Sequence, residues 1–289
     1  MERIEEVSAL RARLSEVRHD GERIALVPTM GNLHAGHLAL VDAARKLADR
    51  VVATIFVNPL QFGPDEDFGT YPRTLDADAR ALAARGTDLL FAPPIKEMYP
   101  DGASLETCVS VSGLSCELCG AARPGHFDGV TTVVAKLFSM IGPDVAVFGR
   151  KDLQQLTLIR RMVRDLSMPL EIIGVDTVRA PDGLALSSRN GYLSTEERAR
   201  APLFAGTLQD VARALADGDR RFQSLETWAM STLSAAGFEP DYVSIRSTAD
   251  LAPPRAQASA QELVVLGAAQ LGKARLIDNV SPESELICP

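Results

Sequence analysis

The sequence predicts an α/β protein in which a doubly wound parallel sheet is followed by a smaller α+β domain. Two observations carry this reading. From Arg23 to about Thr177, short β-rich runs alternate with helical stretches, and several of the runs are apolar on both faces, as strands of a parallel sheet are. After Ala180-Pro-Asp-Gly183 the pattern changes to two helices and then strands, so a boundary falls near residue 177 and divides the chain into 1–177 and 178–289. A length of 289 residues accommodates one large domain or two unequal ones.

The strands are expected at 24–27, 51–57, 89–91, 145–148 and 170–175, from clustered Val, Ile, Leu and Phe. Between them, residues 38–48, 75–84, 130–141 and 153–166 carry Leu, Ala and Val at helical spacing, with Gly86 and Pro169 as stop signals. In the second part, helices are expected at 195–216 and 223–236 and strands at 242–246, 263–266 and 275–278. The Ala- and Pro-rich stretch 252–260 reads as a surface loop, and there is no internal repeat.

Composition excludes several classes. The 46% hydrophobic and 24% charged residues are those of an ordinary globule, and no apolar run approaches the roughly 20 residues of a membrane span. Met1-Glu-Arg-Ile-Glu-Glu6 lacks the apolar stretch of a signal peptide. Thirty-eight acidic against 30 basic residues give a net charge of -8, which repels a phosphate backbone in the absence of a segregated basic face, so no nucleic-acid partner is expected. Four cysteines in a chain of this length fit a reducing compartment, and the expected location is cytoplasmic.

Three strings could carry chemistry. Met30, Gly31, Asn32, Leu33, His34, Ala35, Gly36 and His37 follow a strand and open a helix, where backbone N–H groups and the helix dipole favour phosphate. His34 and His37, three residues apart, face the same side. The plain alternative is a tight turn with two polar histidines, and residues 31–40 hold no acidic third ligand for a metal. Gly149, Arg150, Lys151, Asp152 and Gln155 also join a strand to a helix. Gly149 permits close approach of a ribose, Lys151 offers a positive charge and Asp152 an acceptor, unless Asp152 merely caps the helix. Leu186, Ser187, Ser188, Arg189 and Asn190 place hydroxyls and a guanidinium on a loop that could close on a triphosphate, though such residues are also ordinary in loops.

These strings occur in order with Phe56-Val-Asn-Pro-x-Gln-Phe-Gly63, Tyr71-Pro-Arg73, Arg123-Pro-Gly-His-Phe127 and Leu276-Ile-Asp-Asn279. Together they resemble the pantothenate synthetase family over essentially the whole chain. The resemblance implies a Rossmann-like nucleotidyltransferase domain of the HxGH type, a C-terminal lid domain, Mg²⁺ with ATP as substrate, and a homodimer. It implies that pantoate and ATP form an acyl adenylate that β-alanine then attacks. It places residues 30–37 along the ATP, His34 and His37 at its phosphates, and Gly149 to Asp152, the backbone of Val178 and Leu186 to Arg189 around the rest of the nucleotide. His34, His37, Lys151, Ser187, Ser188 and Arg189 become the catalytic set. Gln61 and Gln155 hold pantoate with Asn58 beside Gln61, neutral amides that bind the acid without blunting its attack. Arg123 and His126 are weaker candidates for the β-alanine carboxylate, and Asp78 is a possible metal contact. The chain departs from the family's commonest pattern at Ser139, where Asn is usual, and at Ala77, where a further acidic residue occurs; no metal ligands are assigned.

Two other strings carry less. Gly267-Ala-Ala-Gln-Leu-Gly-Lys273 nearly spells a phosphate loop, but Ala274 lacks the hydroxyl that would meet Mg²⁺, and a turn between strands is expected. Cys116-Glu-Leu-Cys119 has half of a zinc site's spacing, with no second pair from Cys108 and Cys288. Among rival functions, an enzyme that leaves AMP in a dinucleotide product is disfavoured by the paired glutamines. A regulatory protein without turnover is disfavoured by the complete set of His, Lys and Arg, and a tRNA-charging enzyme by the acidic balance.

Overall fold

The computed structural model describes residues 1–64, 66–102 and 107–283. Two compact units emerge, one of Met1–Arg150 with Gln155–Asp176, the other of Lys151–Gln154 with Thr177–Pro289. The four residues Lys151–Gln154 join the second unit although they lie in the middle of the first one's sequence. One reason is local: the Asn279 side chain donates from Nδ2 to the Lys151 carbonyl at 2.9 Å.

The first unit is built on six parallel strands, β1 (Glu2–Ile4), β2 (Ile24–Thr29), β3 (Arg50–Ile55), β4 (Leu89–Phe91), β5 (Val145–Gly149) and β6 (Glu171–Val175), in the order β1-β4-β3-β2-β5-β6. Both faces are buried, as parallel sheets require. Ala25, Val27, Val51, Ala53, Leu90, Val145 and Val147 pack with Leu40, Val41, Ala44 and Leu82 from the helices Ala35–Ala44 and Leu75–Ala84. The alternate residues Ile24, Leu26, Val52, Leu89, Phe91, Ala146 and Phe148 are buried as well.

Strand order reverses between β2 and β5, which pair through Ala25↔Val145 and Leu26↔Ala146. Extending that register brings Thr29 level with Gly149. The chain leaves β2 and β5 at this level, and it is at such a reversal of strand order that open α/β sheets bind ligands.

Two elements precede the expected sheet. β1 is three residues long, too short for periodicity to reveal. The helix Val7–His19 buries Leu10, Leu14 and Val17, one stripe of an amphipathic surface. No helix among the described residues is long and apolar enough to cross a membrane.

The second unit carries an antiparallel sheet, β7 (Glu239–Ser247), β8 (Leu263–Leu271) and β9 (Ala274–Val280). Its core joins Phe204, Leu208, Val211 and Leu215 to Leu233, Phe238, Val265, Ala269 and Leu276. The single helix expected over 195–216 is two, Thr195–Arg200 and Pro202–Ala216, because Pro202 has no N–H to continue the first and suits the opening turn of the second. The turn expected over 267–273 is confined to Gly272 and Lys273, while Gly267–Leu271 belongs to β8. A Cβ on Gly267 would lie 3.0 Å from Leu208 and 3.1 Å from Phe204, so this glycine lets a helix pack closely on a strand and cradles no phosphate.

Candidate active site

The turn after β2 is held by hydrogen bonds within it and by the carboxylate of Asp78. Gly31 N–H donates to Thr29 Oγ1 at 3.2 Å, Asn32 N–H to Asp78 Oδ2 at 2.9 Å and Leu33 N–H to Asp78 Oδ1 at 2.8 Å. His34 N–H donates to His37 Nδ1 at 3.3 Å, and Gly36 N–H to His34 Nδ1 at 3.1 Å. The two histidines thus form a reciprocal cap, which starts the helix at Ala35, three residues before the expected start.

The amides of residues 31 to 34 and 36 already have acceptors within the protein. The cap also fixes the chemistry of the rings. Because each Nδ1 accepts, the proton of each neutral imidazole sits on Nε2, making it a donor suited to an anionic oxygen. The ring centroids are 4.1 Å apart.

Gln61 ends a short 3-10 turn, Pro59–Gln61, and its Nε2 lies 3.0 Å from Met30 Sδ, which brings the amide to the start of the loop above. Asn58 holds it there: Nδ2 donates to Gln61 Oε1 at 3.2 Å and to the Gly129 carbonyl at 3.1 Å. Asn58 Oδ1 accepts from Tyr99 Oη at 2.8 Å and from Leu60 N–H at 3.3 Å. All four positions of this amide are taken and the residue is 1% exposed, so Asn58 braces Gln61 and has nothing left to offer a substrate. Burial pushes the Tyr99 hydroxyl up, keeping it a donor.

Arg123 and His126 are likewise engaged. Arg123 Nε donates to Glu66 Oε1 at 2.6 Å and Nη2 pairs with Glu66 Oε2; Nη2 also donates to the Gln61 carbonyl at 3.2 Å, and Nη1 meets His126 Nε2 at 3.0 Å. His126 Nδ1 lies 2.7 Å from the same Gln61 carbonyl and is the donor. Burial pushes the Glu66 carboxyl up, but the hydrogen bonds and charge of Arg123 outweigh it and hold the group below its ordinary range. With its charge met by Glu66, the Arg123 guanidinium serves the Gln61 backbone, which weighs against its expected part in binding a second carboxylate.

Gly129 completes this support and carries no signal in isolation. It lies in the helix His126–Ile141, where a Cβ would come 2.2 Å from the Leu60 carbonyl oxygen and 2.8 Å from Gln61 N. Gly129→Ala should lower stability by about 1–3 kcal/mol through overpacking against backbone and, with Gln61 binding substrate as the resemblance implies, raise the KM for that substrate. Thermal melting and steady-state kinetics check this, and a KM unchanged beside a lowered melting temperature would detach Gln61 from that substrate.

After β5, Gly149 has no positive φ, and a Cβ there would meet nothing within 4 Å. Neither strain nor packing asks for glycine here, and the space beside its backbone is open. The Arg150 side chain turns to Asp176 at 3.2 Å and the Gly174 carbonyl at 3.3 Å. On the helix Leu153–Asp165, Gln155 is half-buried, and among the described residues its amide has no hydrogen-bond partner.

In the second unit, Lys151 Nζ lies 3.8 Å from Asp152 Oδ2. The string 187–190, expected as a loop, forms a 3-10 turn, Ser188–Tyr192, capped by Ser187 Oγ, which accepts from Arg189 N–H at 3.3 Å. Leu186 N–H donates to the Val178 carbonyl at 2.9 Å. Beside it, Arg179 makes a buried two-pronged pair with Asp278, Nη1 to Oδ2 at 2.6 Å and Nη2 to Oδ1 at 2.9 Å.

Cys116 is exposed and Cys119 buried, and neither is in a disulfide among the described residues; Cys288 lies outside them. Among the described residues no group of three or more His, Cys, Asp or Glu could hold a metal.

Comparison with known proteins accords with this architecture. The family model described as pantoate-beta-alanine ligase matches residues 2–281. The pantothenate synthetase of Pseudomonas putida (strain GB-1) is 57% identical over 280 residues, 97% of each chain. A crystal structure of pantothenate synthetase from Thermus thermophilus superposes with a TM-score of 0.90 at 45% identity, covering 98% of this chain and 100% of that one. The pantoate-beta-alanine ligase of Francisella tularensis, crystallised with beta-gamma ATP and beta-alanine, gives a TM-score of 0.81 at 32% identity over 99% of both chains.

Proposed function

The chain belongs to the pantoate-beta-alanine ligase family, and from that premise we propose how its residues divide the ATP-dependent joining of pantoate to β-alanine. Pantoate's carboxylate attacks the α-phosphorus of ATP, releasing pyrophosphate and leaving pantoyl adenylate. The amine of β-alanine then attacks the acyl carbon, and AMP departs as pantothenate forms. The observation that carries the residue assignment is the contact of Gln61 with Met30. It puts a neutral amide, suited to a hydroxy acid, beside the loop whose histidines present Nε2–H to phosphate.

Gln61 and Gln155 hold pantoate, the second with a side-chain amide that has no partner among the described residues. Met30 to His37, Gly149 to Asp152, Val178 and Leu186 to Arg189 take the nucleotide. His34, His37, Lys151, Ser187, Ser188 and Arg189 act electrostatically on charge growing at the bridging and pyrophosphate oxygens. Asn58, Arg123 and His126 position Gln61. Mg²⁺ accompanies ATP; the acidic group nearest the loop, Asp78, already accepts three hydrogen bonds, which suits a cation carried mainly by triphosphate oxygens and water. A cytoplasmic homodimer completes the reading, on the sparse cysteines and the family resemblance.

Labelled pyrophosphate should exchange into ATP with Mg²⁺ and pantoate present and β-alanine absent, because the first half-reaction needs no amine. Exchange that appeared only on adding β-alanine would overturn the ordered adenylate route. Gln155→Ala should raise the KM for pantoate about tenfold or more, the effect of removing a hydrogen bond to a charged group, while ATP affinity holds. The reverse outcome, lost ATP affinity with pantoate affinity intact, would move Gln155 to the nucleotide.

A further inference from the structure

Asp78 is 3% exposed, yet its carboxylate reaches out of the helix Leu75–Ala84 to the turn after β2. Its two oxygens accept from consecutive backbone amides, Asn32 and Leu33, and Oδ2 accepts also from Thr74 Oγ1 at 3.0 Å. The turn is shaped for this. Gly31 has φ +85° and Asn32 φ +50°, so two successive residues are left-handed and their following amides converge on one point. A Cβ on Gly31 would lie 3.1 Å from Asp78 Oδ2, so the carboxylate approaches this closely only because residue 31 has no side chain. Such a concavity of backbone amides ordinarily receives a bound anion. Here the protein's own carboxylate fills it.

We infer that Asp78 is a positioning residue for nucleotide binding: by occupying the amide concavity it fixes the turn that aims His34 and His37, and leaves the phosphates to their imidazoles. The inference rests on the nucleotide role of residues 30–37 given above. It differs from a metal-ligand role, in which the carboxylate would face the cation carried by ATP. The two make opposite demands on the same oxygens, since a carboxylate that accepts three internal donors holds the turn whether or not a cation is present.

The test is equilibrium ATP binding by calorimetry, with and without Mg²⁺, on Asp78→Asn, Thr74→Val and Thr74→Ser. Asparagine keeps the shape but replaces one acceptor oxygen with a donor, so one of the two amides loses its partner. ATP affinity should fall about tenfold or more, by a similar factor with and without Mg²⁺, while the KM values for pantoate and β-alanine stay within about twofold. Thr74→Val, which removes one donor to the carboxylate, should weaken ATP about two- to threefold, and Thr74→Ser, which restores that donor, should bind as the native protein does. Should Asp78→Asn fail to fold, the Thr74 pair carries the test alone. Unchanged ATP affinity in the folded variants, or a loss confined to the presence of Mg²⁺, would overturn the inference. A native protein that bound ATP but showed no pantoate-dependent pyrophosphate exchange would instead sink the proposed function and leave the Asp78 test readable.

Discussion

His37→Ala is expected to slow formation of the acyl adenylate about a hundredfold or more, because losing one donor aimed at developing charge typically costs roughly 3 to 4 kcal/mol. Two losses combine here. In the proposed mechanism the ring's Nε2–H no longer meets the phosphate, and in the structure His34 N–H loses its acceptor, Nδ1 of His37. The second is a helix-cap effect of about 1 kcal/mol, which appears in stability. Single-turnover adenylation measured beside thermal melting separates the two. A variant that adenylates at nearly the native rate would remove His37 from the mechanism, whatever its melting temperature.

Asp278→Ala should destabilise the second unit by about 3–5 kcal/mol, since it strands the Arg179 guanidinium, 12% exposed, without a counter-charge. A surface pair offers the contrast. Arg198 with Asp182, at 38% and 41% exposure, should cost no more than about 1 kcal/mol when Asp182 is replaced by alanine, because water solvates the remaining charge. Denaturant midpoints of the two variants, compared at equal slope, read the difference. Equal midpoints would show that the buried pair contributes only what a surface pair does. Asp278→Ala should also weaken ATP binding, because Arg179 adjoins Val178 and Asn279, the latter bonded to the Lys151 carbonyl.

The parallel sheet was legible because its strands are apolar on both faces and punctuated by Gly86 and Pro169, and residues 75–84 and 89–91 coincide with their elements. The break at Pro202 was legible in principle, since proline ends a helix whatever surrounds it, but the apolar spacing runs through it and masked the break. The site divides in the same way. Histidines three residues apart signal a shared face through local geometry, and so does a glycine between strand and helix. What joins Asp78 to Leu33, Gly129 to Leu60 and Glu66 to Arg123 is contact between segments distant in the chain. A buried carboxylate that grips a turn and one that grips a metal look alike in one dimension, and the backbone amides that tell them apart have no letter in the sequence.

The bond from Asn279 to the Lys151 carbonyl spans 128 residues of chain. During synthesis, the turn at Lys151 is made long before β9, so until that strand is in place its carbonyl must be satisfied by water. The lysine proposed to meet ATP is therefore seated late, by a strand made long after it. A nascent chain halted before residue 274 would display the sheet and the histidine turn complete, and would lack the strand that anchors Lys151. Ribosome-bound intermediates of this length should accordingly acquire protease resistance in the parallel sheet before they acquire the capacity to turn over ATP.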